Sequence, residues 1–140
     1  MAKGRILVFD DDIKARLEAA RRIAVLGLSP KPWRDSHKVA LYLKKAGYTV
    51  IPVRGAQKEI LGEKAYATLP EVPGPVDIVD AFINPARILP LAEDAVKIKP
   101  KLFWMQLGVE NGLAAELLIN AGIDVIMNRC IKIDHAKLIA

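Results

Sequence analysis

Short runs of apolar, largely β-branched residues alternate with stretches of helical periodicity along almost the whole chain, and this alternation constrains the fold more than any other feature. The runs Arg22–Leu26, Thr49–Val53, Asp77–Phe82, Lys101–Met105 and Asp124–Met127 read as strands. None interleaves polar with apolar residues as a strand with one wet face does, so both faces are expected to be covered. A shorter run around Lys64 to Tyr66 predicts a sixth strand at an edge. Between the strands, Val39, Tyr42, Leu43 and Ala46 form one helical stripe, opened by Asp35 or Ser36 as a cap and stopped at Gly47. Asn84-Pro85 opens a second helix through Ile88, Leu89, Ala92, Ala95 and Val96, and Asn111 opens a third through Ala114, Leu117, Leu118 and Ala121. Ile13, Leu17 and Ala20 predict an amphipathic helix ahead of the first strand. Strand–helix alternation calls for right-handed crossovers. The predicted fold is therefore α/β: a Rossmann-like, doubly wound, mostly parallel sheet of five or six strands with helices on both faces. Residues 1–140 make a single domain, with residues 1–21 as a helical extension packed on it.

Composition narrows the class. At 140 residues, with 52% hydrophobic and 26% charged residues, the chain has material for one core and none for a separate substrate domain. The lone Cys130 excludes an internal disulfide framework, and no apolar run approaches the roughly 20 residues of a membrane span. Met1 to Asp12 carries no long apolar stretch, so the expected location is cytoplasmic. The net charge of +5 is unevenly spread: residues 1–58 hold 13 Lys and Arg against 5 Asp and Glu, and residues 59–140 hold 8 against 11. Such a surplus suits nucleic acid or a phosphorylated small molecule. The cations gather in loops after strands instead of along a helix, and aromatics are only 6%, so nucleic acid is the poorer choice.

An open parallel sheet binds ligands at the carboxyl ends of its strands, near the point where strand order reverses. After the first strand, Gly27 permits close backbone approach, while Ser29, Lys31, Arg34 and Ser36 bring hydroxyls and charge to the start of a helix. This reads as a phosphate cradle. Gly27-Leu-Ser-Pro-Lys-Pro lacks the second and third glycines of the dinucleotide fingerprint and the G-K-[ST] of a P-loop. The second strand ends Val53-Arg54, followed by Gln57 and Lys58, where an NAD-binding domain usually places a carboxylate. A guanidinium there suits phosphate on or near a ribose, which both NADP and coenzyme A (CoA) carry.

The segments Gly27-Leu-Ser-Pro-Lys-Pro, Arg34-Asp-Ser, Gly47-Tyr-Thr-Val-Ile-Pro-Val, Gly62-Glu-Lys, Val76-Asp-Ile-Val-Asp, Trp104-Met-Gln-Leu-Gly and Asn128-Arg-Cys occur in order. In sequence and spacing, from about Ile23 to the C-terminus, they resemble the small stand-alone CoA-binding proteins. Those are single domains similar to the CoA-binding domain of the succinyl-CoA synthetase α-subunit. The resemblance implies that Gly27, Ser29 and Lys31 to Ser36 contact phosphate and that Val53 and Arg54 lie beside the adenosine. It also implies that Phe82, Asn84 and Pro85, with Gln106 and Gly108, line the path of the rest of CoA. Two departures stand out. The family commonly reads Pro-Val-Asn-Pro where this chain has Pro52-Val53-Arg54-Gly55. It tends to carry Phe-Arg or Phe-Val before Pro where this chain has Phe82-Ile83-Asn84-Pro85.

Catalysis has little support. His37 and His135 lack metal-type spacing and read as surface residues, Ser29 is not in a G-x-S-x-G elbow, and Asp35 and Glu110 read as helix-start residues. No metal is expected. Trp33 and Trp104 read as packing residues, although Trp33 lies where it could cover an adenine. Cys130, next to Arg129, is the one thiol at the predicted edge; a neighbouring guanidinium would favour its thiolate, and under oxidation it could form a mixed disulfide with the thiol of CoA. The sequence thus predicts a binding module for CoA or an acyl-CoA, without turnover. The alternatives are an NADP-dependent oxidoreductase, for which Tyr-x-x-x-Lys machinery is missing, and a subunit supplying a CoA site to another chain. A homo-oligomer or an unnamed protein partner is left open.

Overall fold

In the computed structural model, which describes residues 2–140, the predicted strands form one parallel sheet. The elements run α1 (Asp10–Ala19), β1 (Arg22–Leu26), α2 (Asp35–Lys45), β2 (Thr49–Val53), β3 (Glu59–Ile60), β4 (Glu63–Lys64), β5 (Ile78–Ala81), α3 (Ile88–Ile98), β6 (Leu102–Met105), α4 (Gly112–Asn120), β7 (Asp124–Ile126) and α5 (Ile131–Leu138). The main sheet has five strands in the order β2-β1-β5-β6-β7. Every pairing in it is parallel, with Leu26 level with Val53 on one side and Ala81 on the other. The sheet grows outward from β1 to β2, then returns across β1 to β5. Strand order therefore reverses between β1 and β5, and the crevice above that pair is where such folds bind ligands.

Successive residues of each strand enter opposite layers. Phe103 and Trp104, adjacent in β6 and both fully buried, show this directly. Phe103 packs with Val79, Ala81, Ile88, Ala92 and Leu118 under α3 and α4. Trp104 packs with Val25, Val39, Leu43, Ile13, Leu17 and Ile131 under α1, α2 and α5. Burying side chains of this size stabilises each layer by about 1.5–3 kcal/mol per residue.

The sixth strand takes a different form. Lys64 pairs with Glu59 in a separate two-stranded antiparallel hairpin, and Tyr66 alone bridges to Val53 at the edge of the main sheet. Tyr66 N–H donates to the Pro52 carbonyl at 3.0 Å. Pro52 therefore turns its ring nitrogen toward this open edge, where no ladder bond is lost. On the opposite edge Ile6 bridges to Val125, and the Leu7 N–H donates to the Val125 carbonyl at 2.8 Å. Sequence reasoning did not find this bridge or helix α5. Each edge is thus blunted by a single residue.

Helix ends correct two expectations. Asp35 and Ser36 both lie inside the first turn of α2; the cap position belongs to Arg34, whose backbone is extended and whose side chain makes no capping bond. Glu110 precedes the true cap of α4, Asn111, whose side chain accepts from the Ala114 N–H at 3.0 Å. Asn84 does cap, but it caps a 3-10 turn, Pro85–Arg87, that leads into α3. His135 is buried, not on the surface. It hydrogen-bonds the Tyr42 hydroxyl at 2.9 Å and meets the rings of Tyr42 and Tyr48 edge-on, and burial lowers its pKa.

Candidate functional site

The carboxyl ends of β1, β2 and β5 are stitched together by the backbone. Gly27 N–H donates to the Val53 carbonyl and Phe82 N–H to the Leu26 carbonyl, both at 3.0 Å. Gly27 sits at φ +75°, and a Cβ there would stand 2.4 Å from the Phe82 carbonyl oxygen. Only glycine lets the β1 and β5 loops approach this closely.

Beyond Gly27 the loop folds on itself through its serines. Ser36 Oγ accepts from the Ser29 N–H at 3.0 Å, and Ser29 Oγ accepts from the Lys31 N–H at 3.1 Å. Each hydroxyl keeps its own proton to donate. His37 Nδ1–H donates to the Ser29 carbonyl at 3.0 Å, which ties the loop to the first turn of α2. Lys31 and Arg34 are exposed, and Arg54 reaches back so that its Nη1 donates to the Gly27 carbonyl at 3.3 Å. Positive side chains, hydroxyls and the start of an 11-residue helix converge on one side of Gly27.

Two cavities meet there, sharing Gly27, Arg54 and Phe82. One, of about 520 Å³, is lined by Ser29, Lys31, Arg34 and Ser36. The other, of about 670 Å³, has apolar walls from Leu69, Ile83 and Leu91, with Val53, Asn84 and Arg87 among its lining. The first is equipped for phosphate and the second for a flat or apolar body with polar edges. Nine of the twelve residues named from the sequence for this site therefore line one continuous crevice: Gly27, Ser29, Lys31, Arg34, Ser36, Val53, Arg54, Phe82 and Asn84.

The other three are placed differently. Pro85 fixes the turn behind Asn84 without lining either cavity. Gln106 lines a third cavity of about 380 Å³, between α2 and α5, together with Cys130. Gly108 only bends the loop, at φ +81°, its N–H donating to Asn128 Oδ1 at 2.7 Å. Lys58 lies with the β3–β4 hairpin in a neighbouring groove and lines neither of the two cavities. The Arg129 guanidinium, next to Cys130 in sequence, is engaged by Asp134 at 2.8 Å and by Asp10 at 3.2 Å. Trp33 is 67% exposed beside Lys31, whereas Trp104 is buried and donates to the Arg129 carbonyl at 2.7 Å.

Two residues were missed. Arg87 is a cation in the larger cavity, one turn past the position where Ile83 replaces the residue common in similar chains. The signal was its place three residues after the Asn84 cap, at the end of the turn that leads into α3. Asp80 is the second. It is fully buried on β5, level with Val25 and Trp104, and its Oδ1 accepts from the Gln106 side-chain amide. Its Oδ2 has no hydrogen-bond partner among the described residues. Burial pushes this carboxyl up to about 7, partly opposed by the Gln106 bond.

Comparison with known proteins identifies a family. Residues 21–136 match the family model described as "CoA binding domain". The uncharacterized protein YneT of Bacillus subtilis is 42% identical over 125 residues, covering 89% of this chain and 93% of that one. The α-subunit of the ADP-forming acetate–CoA ligase II of Pyrococcus furiosus is 32% identical over 106 residues; the match takes in 73% of this chain but only 20% of the ligase subunit. Among solved structures, a hypothetical protein from Pyrococcus horikoshii superposes with a TM-score of 0.92 at 34% identity, with both chains fully covered. The chain belongs to the CoA-binding domain family.

Proposed function

We propose that this chain binds CoA or an acyl-CoA along the crevice above β1, β2 and β5, as a binding module without turnover. The observation that carries the reading is the junction at Gly27, where a cavity lined by cations and hydroxyls opens directly into one with apolar walls. CoA has this composition: three phosphates, an adenosine and a long arm in which methyl and methylene groups alternate with two amides. Ser29, Ser36 and the N–H groups of the first turn of α2 would hold phosphate, with Lys31, Arg34 and Arg54 supplying charge. The walls around Leu69, Ile83 and Leu91 would cover apolar parts of the ligand. In this reading the residues lining the cavities bind and orient the ligand.

The second reading, a CoA-site subunit of a larger acyl-CoA enzyme, is favoured by the similarity to one-fifth of the ligase α-subunit. An NADP-dependent oxidoreductase is disfavoured by the loop after β1, whose single glycine is followed by serine-bound turns instead of the glycines that bring a pyrophosphate onto the helix. Calorimetric titration with CoA, 3′-dephospho-CoA, NADP and NAD separates these readings. CoA is expected to bind most tightly and dephospho-CoA more weakly. Tight NADP binding with no response to CoA would overturn the proposal.

A further inference from the structure

The crevice does not end at the phosphate cradle. Phe82 and Asp35, which line the cradle, also line the third cavity, between α2 and α5. Its walls are mostly apolar, from Val39, Phe82, Leu107 and Ile133, with Lys38 and Lys132 among the other lining residues. Leu107 and Ile133 are 60% and 57% exposed, an apolar rim with no protein cover. One polar group stands in this apolar setting with its orientation fixed: Gln106, itself only 3% exposed, whose amide nitrogen is held by buried Asp80. That bond uses one of the two amide protons and leaves the second free to donate.

We infer that this cavity receives the acyl end of an acyl-CoA, with the free Gln106 N–H donating to the thioester carbonyl and the Leu107–Ile133 rim closing over a short alkyl chain. The inference rests on the CoA reading of the crevice and goes further, because it assigns the ligand class: a short acyl thioester in preference to free CoA. A cavity of about 380 Å³ has room for a few carbons and a carbonyl group. Its apolar walls are idle when the ligand ends in a bare thiol. A protein segment would also cover Leu107 and Ile133, but it would leave unexplained a buried, oriented amide in the cavity lining.

The test is calorimetry on the full chain with CoA, acetyl-CoA and butyryl-CoA. Each buried CH₂ is worth about fourfold in affinity, so butyryl-CoA, with two more, is expected to bind about fifteenfold more tightly than acetyl-CoA, and both more tightly than CoA. Ile133→Trp fills the cavity from an exposed position; it is expected to abolish the butyryl preference while leaving the affinity for CoA within twofold. Gln106→Met keeps the volume and removes the donor, and is expected to lower acyl-CoA affinity about tenfold. Equal binding of CoA and both thioesters would overturn this inference while leaving the CoA reading intact. A butyryl preference that survives Ile133→Trp would place the acyl group elsewhere and also overturn it. Failure to bind any of the three ligands would remove the CoA reading itself.

Discussion

Asp80→Asn is the perturbation whose consequence is most fully set by the structure. Asp80 lies inside the sheet with no charged partner at its carboxyl; burial and the Gln106 bond are what act on it. A folded-state pKa of about 7 against an unfolded value of 3.8 means the folded protein keeps this proton where the unfolded chain releases it. Below the unfolded value both states are protonated and the buried acid costs nothing extra. As pH rises toward 7 the unfolded chain gains stability by ionising, and native stability falls until the folded carboxyl also ionises. At about 1.4 kcal/mol per pKa unit the full loss is about 4 kcal/mol, of which about 3 kcal/mol falls between pH 5 and pH 8. Asparagine does not titrate. Its amide protons in place of Oδ2 lack acceptors and cost about 1–3 kcal/mol, but by the same amount at every pH. Urea unfolding of both proteins from pH 5 to pH 8 therefore has a defined outcome: relative to wild type, the variant gains about 3 kcal/mol across the range. Asp10, Asp77 and His135 titrate alike in both proteins, so the difference isolates Asp80. Stability curves that stay parallel within about 1 kcal/mol would refute the reasoning.

Other substitutions probe other parts of the account. Gly27→Ala must place a Cβ against the Phe82 carbonyl at positive φ, so it is expected to lower stability by at least about 2 kcal/mol and to weaken CoA binding, measured by urea unfolding and calorimetry. Arg54→Ala is expected to shrink the affinity gap between CoA and dephospho-CoA, whereas Lys58→Ala, in the hairpin groove, is expected to leave it unchanged. Arg87→Ala is expected to weaken CoA binding by about tenfold if its guanidinium pairs with phosphate, as calorimetry would show. Arg129→Ala leaves buried Asp134 without its guanidinium and Asp10 with Lys137 alone; a fall in melting temperature of several degrees checks the contribution of the Arg129 pairs.

The sheet was legible because its strands are buried on both faces, so their apolar runs are uninterrupted and stand out from amphipathic helices. The boundaries of β1 and β2 follow directly from Arg22–Leu26 and Thr49–Val53. The hairpin at Glu59–Lys64 was harder: two-residue strands have no periodicity to read, and its sole tie to the main sheet is Tyr66. Helix α5 was missed because Ile131-Lys-Ile-Asp-His-Ala-Lys-Leu buries a polar pair, Asp134 and His135, on the face where a pattern search expects apolar residues. Their burial depends on Arg129 and Tyr42, which are distant or unremarkable in sequence. The cradle was legible because most of its residues fall in one short segment, Gly27 to Ser36, that sets hydroxyls and cations between a strand and a helix start. Asp80 was not: within Val76-Asp-Ile-Val-Asp nothing separates a carboxylate at the strand's start, where Asp77 accepts from the Arg21 and Arg22 N–H groups, from one sealed in the core. Only the register against Val25 and Trp104 makes that distinction.

The central claim is that CoA occupies the crevice above β1, β2 and β5. Two-dimensional amide NMR of the full chain titrated with CoA tests it most directly, since every loop of the crevice carries backbone N–H reporters. The account predicts saturable shifts concentrated at Gly27, Ser29, Ser36, Arg54, Phe82 and Asn84, with the β3–β4 hairpin undisturbed. Saturating CoA that left these amides in place, or moved those of Glu59 to Lys64 instead, would contradict it.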